Sequence, residues 1–279
     1  MFAQGQISSY GVTNGSTKNT GPLSILLQSV SINLPRLAFE SNKDETYFRA
    51  RLALLMKPAL SSMALRKKDI SDITRRGLNP ILAKNTQYMQ RSSVSLVVNL
   101  VGLKESVFNI LGFKDNKEGR NILHKVIETA VDVATKKGKE LGNSVAICMT
   151  ETEGSRRFAT LDGEKYGKNS ALHSMESDSY SEGMMINASE IGDYTLKSEL
   201  ISECNKFSKL LNGGLLVQLK IDKDAKIDEI KKSIEKASTL ISSFKPVKEI
   251  AICGECGFKD EPFEDKCPKC KSPYIVWIS

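Results

Sequence analysis

The sequence predicts an α/β protein that ends in a small metal-bound module. Three observations carry this expectation. Segments with strand-like alternation and segments with helical periodicity take turns along the chain, an order that favours an α/β architecture with several parallel pairings. The 279 residues are 40% hydrophobic and 26% charged, an ordinary globular composition with enough apolar side chains for a sizeable core. Four of the six cysteines are gathered near the C-terminus in two C-x2-C pairs. The expected organisation is a flexible segment over 1–22, a main α/β domain over 23–246 and a separate module over 247–279.

Residues 1–22 hold Gly5, Gly11, Gly15, Gly21 and Pro22 among small polar residues and read as a loop or ragged end. In the apolar run 23–37, the alternation of Val30, Ile32 and Leu34 predicts a strand. Pro35 should end it or force it into extended geometry. Residues 44–67 read as a helix capped by Asp44, with Tyr47, Ala50, Leu54 and Leu55 as its apolar stripe and Pro58 as a kink or stop. A turn is expected over 75–80. Val94, Leu96, Val98 and Leu100 mark a second strand within 93–102. A strong helix follows over 121–139, with Ile122, Leu123, Val126, Ile127, Ala130 and Val133 on one face and Gly138 near its end.

Val145–Cys148 reads as a short buried strand, and 151–168 as a polar loop holding Arg156-Arg157-Phe158. Met184–Ile186 suggests another short strand. A helix over 198–211 should stop at Asn212-Gly213-Gly214. Residues 215–221 read as a strand. Residues 226–243 read as an amphipathic helix with Ile227, Ile230, Ile234 and Ile241 facing inward.

The formal net charge is +7. Such an excess can favour phosphate-bearing ligands, or it can be solvated surface. The lysines of 222–232 sit among acids, which favours the second reading. No run approaches the ~18 to 20 apolar residues of a membrane span. The polar N-terminus has neither the basic start nor the apolar stretch of a secretory signal. The expected location is the cytoplasm.

Cys253-Gly254-Glu255-Cys256 and Cys267-Pro268-Lys269-Cys270 have zinc-ligand spacing. Two residues between ligands let one tight turn aim two thiolates at one ion. Four thiolates saturate tetrahedral zinc and leave no open position, so the site should be structural. Disulfides or redox work are the alternatives, but a redox C-x-x-C usually sits in a thioredoxin-like context that is not visible here. Cys148, on its apolar run, reads as a core thiol. Cys204 lies on a predicted helix with no histidine near it in sequence.

Val30-Ser31-Ile32-Asn33-Leu34-Pro35-Arg36-Leu37-Ala38 resembles the "INLPR" strand of anaerobic (class III) ribonucleoside-triphosphate reductases. Glu151–Ala159 resembles the loop in which those enzymes carry a Pro-Ala-Glu stretch followed by Arg-Phe-Ala. Gly213-Gly214, a strand, a helix and the four-cysteine site then follow in the family's order. The resemblance covers most of this chain but only the C-terminal half of a typical member. It implies part of a ten-stranded glycyl-radical-type barrel with a C-terminal zinc ribbon. It also implies chemistry in which a glycyl radical generates a thiyl radical, the thiyl abstracts the 3′-hydrogen, and the 2′-hydroxyl leaves as water. An activating iron–sulfur enzyme using S-adenosylmethionine makes the glycyl radical. By the same resemblance Asn33 matches the asparagine that faces the active site, a candidate substrate contact. Its other reading is a strand-end asparagine bonding backbone.

This sequence departs from the family in that the Arg-x-x-Gly-Tyr motif is missing before the end at Trp277-Ile278-Ser279, and no cysteine precedes Cys148. Ile7-Ser8-Ser9-Tyr10-Gly11 occupies the region of the thiyl cysteine, and serine cannot replace it because its O–H bond is too strong. The functional expectation is a reductase-like protein that handles nucleoside triphosphates as a homo-oligomer or with a complementary reductase chain. The alternatives are a catalytically silent, zinc-stabilised relative that binds nucleotide or a partner protein, and a zinc-ribbon protein that binds nucleic acid.

Overall fold

The computed structural model describes residues 25–78, 94–167, 179–188, 191, 196–222, 225–241, 243–248, 250–260 and 266–278. The expectations for 1–22 and for Asn79-Pro80 fall outside them. The chain divides into two compact units, one of 1–183 with 206–215 and the other of 184–205 with 216–279.

The first unit is built on a parallel sheet. Its strands are β1 (Ile25–Asn33), β2 (Val94–Val101), β3 (Ser144–Met149) and β5 (Gly214–Leu215), in the order β1-β2-β3-β5, every pairing parallel. Leu96, Val97, Val98, Asn99, Leu100 and Val101 are all buried, so both faces of β2 are covered, as parallel sheets require.

The strand at Val30–Ile32 forms as expected, but Pro35 does not hold the chain extended. It sits in the first turn of α1 (Leu34–Glu40), capped by Asn33. Proline's fixed φ suits that turn, and its missing N–H costs nothing there.

Helix α2 (Glu45–Arg75) starts at the expected Asp44 cap, whose carboxylate accepts from the Tyr47 N–H at 2.9 Å. It runs past Pro58 rather than ending there. The expected stripe is on the wrong face. Tyr47, Ala50, Leu54 and Leu55 are exposed, and Phe48, Leu52, Met56, Leu60 and Met63 are buried. The helix carries two apolar rows, and the larger, more regular one packs.

Helix α3 (Lys117–Glu140) buries Ile122, Leu123, Val126, Ile127 and Ala130 as expected, while Val133 is half-buried beside the buried Ala134. The expected loop over 151–168 is instead helix α4 (Gly154–Tyr166). Its buried side is Ser155, Ala159, Asp162 and Gly163, a set with no apolar period to read. A π-helix over Glu105–Ile110 follows β2.

Asn212 does more than stop the preceding helix. Its Oδ1 accepts from the Ile147 N–H at 2.8 Å and its Nδ2 donates to the Val145 carbonyl at 3.3 Å. On the other side of β3, the Asn99 amide accepts from the Thr150 N–H at 3.0 Å and donates to the Thr150 carbonyl at 2.9 Å. Two asparagine side chains thus extend the ladder where backbone partners give out.

The second unit contains a parallel three-stranded sheet of β4 (Met184–Asn187), β6 (Val217–Lys220) and β7 (Phe244–Val247), in the order β4-β6-β7. The single strand expected over 215–221 is broken at Leu216, and its two parts pair in different sheets. Helix α5 (Leu196–Leu210) lies where expected. Helix α6 (Ile227–Leu240) does too, but Ile227 is 72% exposed, and Ile241 is buried just beyond the helix. An antiparallel sheet of β8 (Ile250–Cys253), β9 (Lys259–Asp260) and β10 (Ile275–Ile278), ordered β10-β8-β9, completes the unit.

Candidate metal centre and polar cluster

Two turns hold the terminal cysteines, and they share one hydrogen-bond pattern. In the first, the Cys253 N–H donates to the Phe258 carbonyl at 2.8 Å and the Gly257 N–H to the Cys253 carbonyl at 3.0 Å. In the second, the Cys267 N–H donates to the Ser272 carbonyl and the Lys271 N–H to the Cys267 carbonyl, both at 2.8 Å. Gly257 and Lys271 are equivalent, and both have positive φ, 68° and 61°. Glycine adopts that conformation freely, whereas lysine is strained there.

The four sulfurs lie within 4.8 Å of one another. Cys253 to Cys270 is 3.5 Å and Cys256 to Cys267 is 3.6 Å. Tetrahedral zinc with its usual bond length sets sulfurs about 3.8 Å apart, so the cluster fits a metal of that size. None of the six cysteines is in a disulfide. The Cys256 and Glu255 backbone N–H groups, donating to its sulfur, draw the Cys253 thiol down to about 6. At Cys270 the Ser272 N–H favours the thiolate, but desolvation and the sulfurs of Cys253, Cys256 and Cys267 outweigh it and push that thiol up to about 12. The Cys253 thiolate forms readily while Cys270 resists, a conflict that a cation at the centre would resolve.

The second cluster lies at the C-terminal end of β1. The Asp162 carboxylate is fully buried. Its Oδ1 accepts from Arg36 through Nε and Nη2, both at 2.6 Å. Its Oδ2 accepts from Asn33 Nδ2 at 2.8 Å and from the Tyr180 hydroxyl at 3.0 Å. Burial, and then the Asp162 charge, push the Tyr180 phenol far up, so it stays protonated and donates. Asn33 also caps α1, its Oδ1 accepting from the Arg36 N–H at 3.2 Å.

Nearby, Gly102 has φ +74°, and a Cβ there would lie 2.5 Å from Pro35 Cγ. Its N–H donates to the Ser181 carbonyl at 3.0 Å. The buried Glu105 accepts from the Ser181 N–H at 3.1 Å and its hydroxyl at 2.6 Å. Glu182 accepts from the Thr152 N–H at 3.0 Å. Residues 180–182 are thereby tied to the segments that follow β2 and β3 and, through Tyr180, to the Asp162 that binds Asn33 at the end of β1, the side of a parallel sheet where α/β proteins place ligands.

Sequence reasoning singled out Asn33 and the four cysteines. It missed Asp162, Tyr180 and Glu105. The usable signal was Arg36, three residues after Asn33, an arginine entering a buried helix start and so needing a carboxylate. Cys148 is buried, and burial pushes its thiol up to about 12 against the opposing Thr150 hydroxyl. Cys204 is buried too.

A mixed α/β fold with parallel sheets and a tail of four clustered cysteines defines the class. The chain belongs to the anaerobic ribonucleoside-triphosphate reductase family, whose model matches residues 6–279. No curated protein matches it significantly. Among solved structures it is similar in fold to an anaerobic ribonucleotide reductase at 21% identity and a TM-score of 0.61, covering 89% of this chain and 40% of that one. It is likewise similar to the Thermotoga maritima anaerobic ribonucleotide reductase with glycerol in the active site (19% identity, TM-score 0.64, 89% and 42% covered). The same enzyme with dATP in the specificity site gives 21% identity, a TM-score of 0.62, and 89% and 43% covered. The chain thus spans well under half the length of these relatives. No helix among the described residues is long and apolar enough to cross a membrane.

Proposed function

We propose that this chain takes part in converting ribonucleoside triphosphates to deoxyribonucleotides in the cytoplasm. In this reading, residues 23–246 form part of a ten-stranded barrel, and 247–279 form its zinc ribbon. Further polypeptide carries the radical glycine and the thiyl cysteine, and a radical S-adenosylmethionine enzyme activates the assembly. The observation that carries the reading is the family match running from residue 6 to residue 279. Ligand class is argued by likeness, since the Thermotoga maritima relative was solved with dATP and CTP. Asn33 is the proposed substrate contact, by its place at the end of β1. Zinc is the proposed metal, by sulfur chemistry and spacing.

The test is an anaerobic assay of nucleotide reduction, with and without lysate from the source cells, alongside nucleotide binding by the purified chain. Activity that depends on both chain and lysate supports the proposal. Persistent inactivity with intact nucleotide binding points to the silent relative. Neither activity nor nucleotide binding overturns both.

A further inference from the structure

We infer that Asp162 is a positioning residue that fixes the side-chain amide of Asn33 for substrate, an inference that rests on the reading of Asn33 as a substrate contact. A fully buried carboxylate is costly to keep unless its lone pairs are filled. Here they are filled in a divided way. Arg36 places two nitrogens on Oδ1, which leaves Oδ2 to Asn33 and Tyr180. The Asn33 amide is thereby given one orientation. Its Oδ1 faces the Arg36 N–H and its Nδ2 faces Asp162. Flipping the amide would set its oxygen against a carboxylate and its NH2 against an N–H, losing both bonds and adding repulsion at each.

Asn33 is only half-buried. An asparagine amide has two donor hydrogens and two acceptor lone pairs, and the contacts with Arg36 and Asp162 use one of each. What is left over is one N–H and one lone pair, held in fixed directions at the ligand-binding end of a parallel sheet. The bland alternative is that Asp162 only ties α4 to α1 through Arg36. That alternative predicts no energetic link between Asp162 and whatever Asn33 does for nucleotide.

A double-mutant cycle on the full chain separates the two. Asp162→Asn keeps the shape and removes the charge, and Asn33→Ala removes the contact. The readouts are nucleotide affinity of the purified chain and, where lysate restores turnover, kcat and KM. Each single variant should weaken kcat or affinity by about 10 to 100-fold, and the double variant should be no worse than Asn33→Ala alone. Independent, multiplying losses would overturn the inference.

A second measurement needs no activity and no variant. Asparagine-labelled wild-type chain should give one Asn33 Nδ2 proton that is protected from solvent exchange and shows a nuclear Overhauser contact to the Tyr180 ring or hydroxyl. Both Nδ2 protons exchanging as fast as those of an exposed asparagine, with no contact to Tyr180, would overturn the inference even if Asp162→Asn failed to fold. If the signals are as expected but nucleotide is ignored by every form, Asp162 does fix the amide and the functional reading of Asn33 is what fails.

Discussion

The four-stranded sheet and the cysteine ribbon are held by different forces. Leu96, Leu100, Leu103, Phe48 and Leu52 are buried to 1% exposure or less around the first, and hydrophobic burial is the main source of its cohesion. The strands of the second are short, and the buried residues its cysteine turns supply are chiefly Cys253, Cys267 and Ser272. A strand pair that buries so little does not hold itself. With a metal on the four cysteines, one chain would combine a solvent-driven core with a ligand-driven fold, each failing under a different insult.

Metal removal should break the comparison most visibly. Chelation, or Cys267→Ser, should unfold β8–β10 and leave β1–β3 protected, as read by residue-resolved hydrogen exchange. The loss is on the order of 10 kcal/mol for a structural zinc site. Uniform loss of protection in both regions, or none in either, would break the contrast.

Leu100→Ala is the converse experiment. It should destabilise the sheet by about 2 to 5 kcal/mol in denaturant unfolding and leave metal stoichiometry unchanged.

Tyr180 sharpens the contrast through pH. Its folded pKa is raised, so its contribution is whole below the unfolded value of about 10 and shrinks as pH rises beyond it. Tyr180→Phe should cost about 1 kcal/mol at neutral pH and flatten the alkaline limb of a stability–pH curve.

The smallest expected effect is a gain. Lys271→Gly relieves a left-handed lysine and should strengthen the ribbon by up to about 1 kcal/mol, visible as slower metal loss to a competing chelator.

Much of this architecture was legible because periodicity reports burial. Val94–Val101 and Ile122–Ala130 were readable for that reason. The stripe on α2 was misread because Tyr47 and Leu54 form a second apolar row, and sequence does not say which row meets a neighbour. Helix α4 was invisible because it buries serine, alanine, glycine and an aspartate, and Asp162 makes sense only with Arg36 and Tyr180 in place. The break at Leu216 is a tertiary choice between two sheets, unwritten in an unbroken apolar run. The cysteine turns were legible because ligand spacing is local, and their matched hydrogen bonds follow from it.

The burial of Cys148 and Cys204 has a practical corollary. Alkylating reagents attack accessible thiolates, and these two sulfurs, one of them pushed far from ionisation, lie out of reach in the folded chain. Cys256 and Cys270 are exposed. Under native conditions the rate of labelling therefore reads the state of the ribbon alone. Labelling at Cys148 announces that the sheet beneath it has opened, so a single mass spectrum separates the two events.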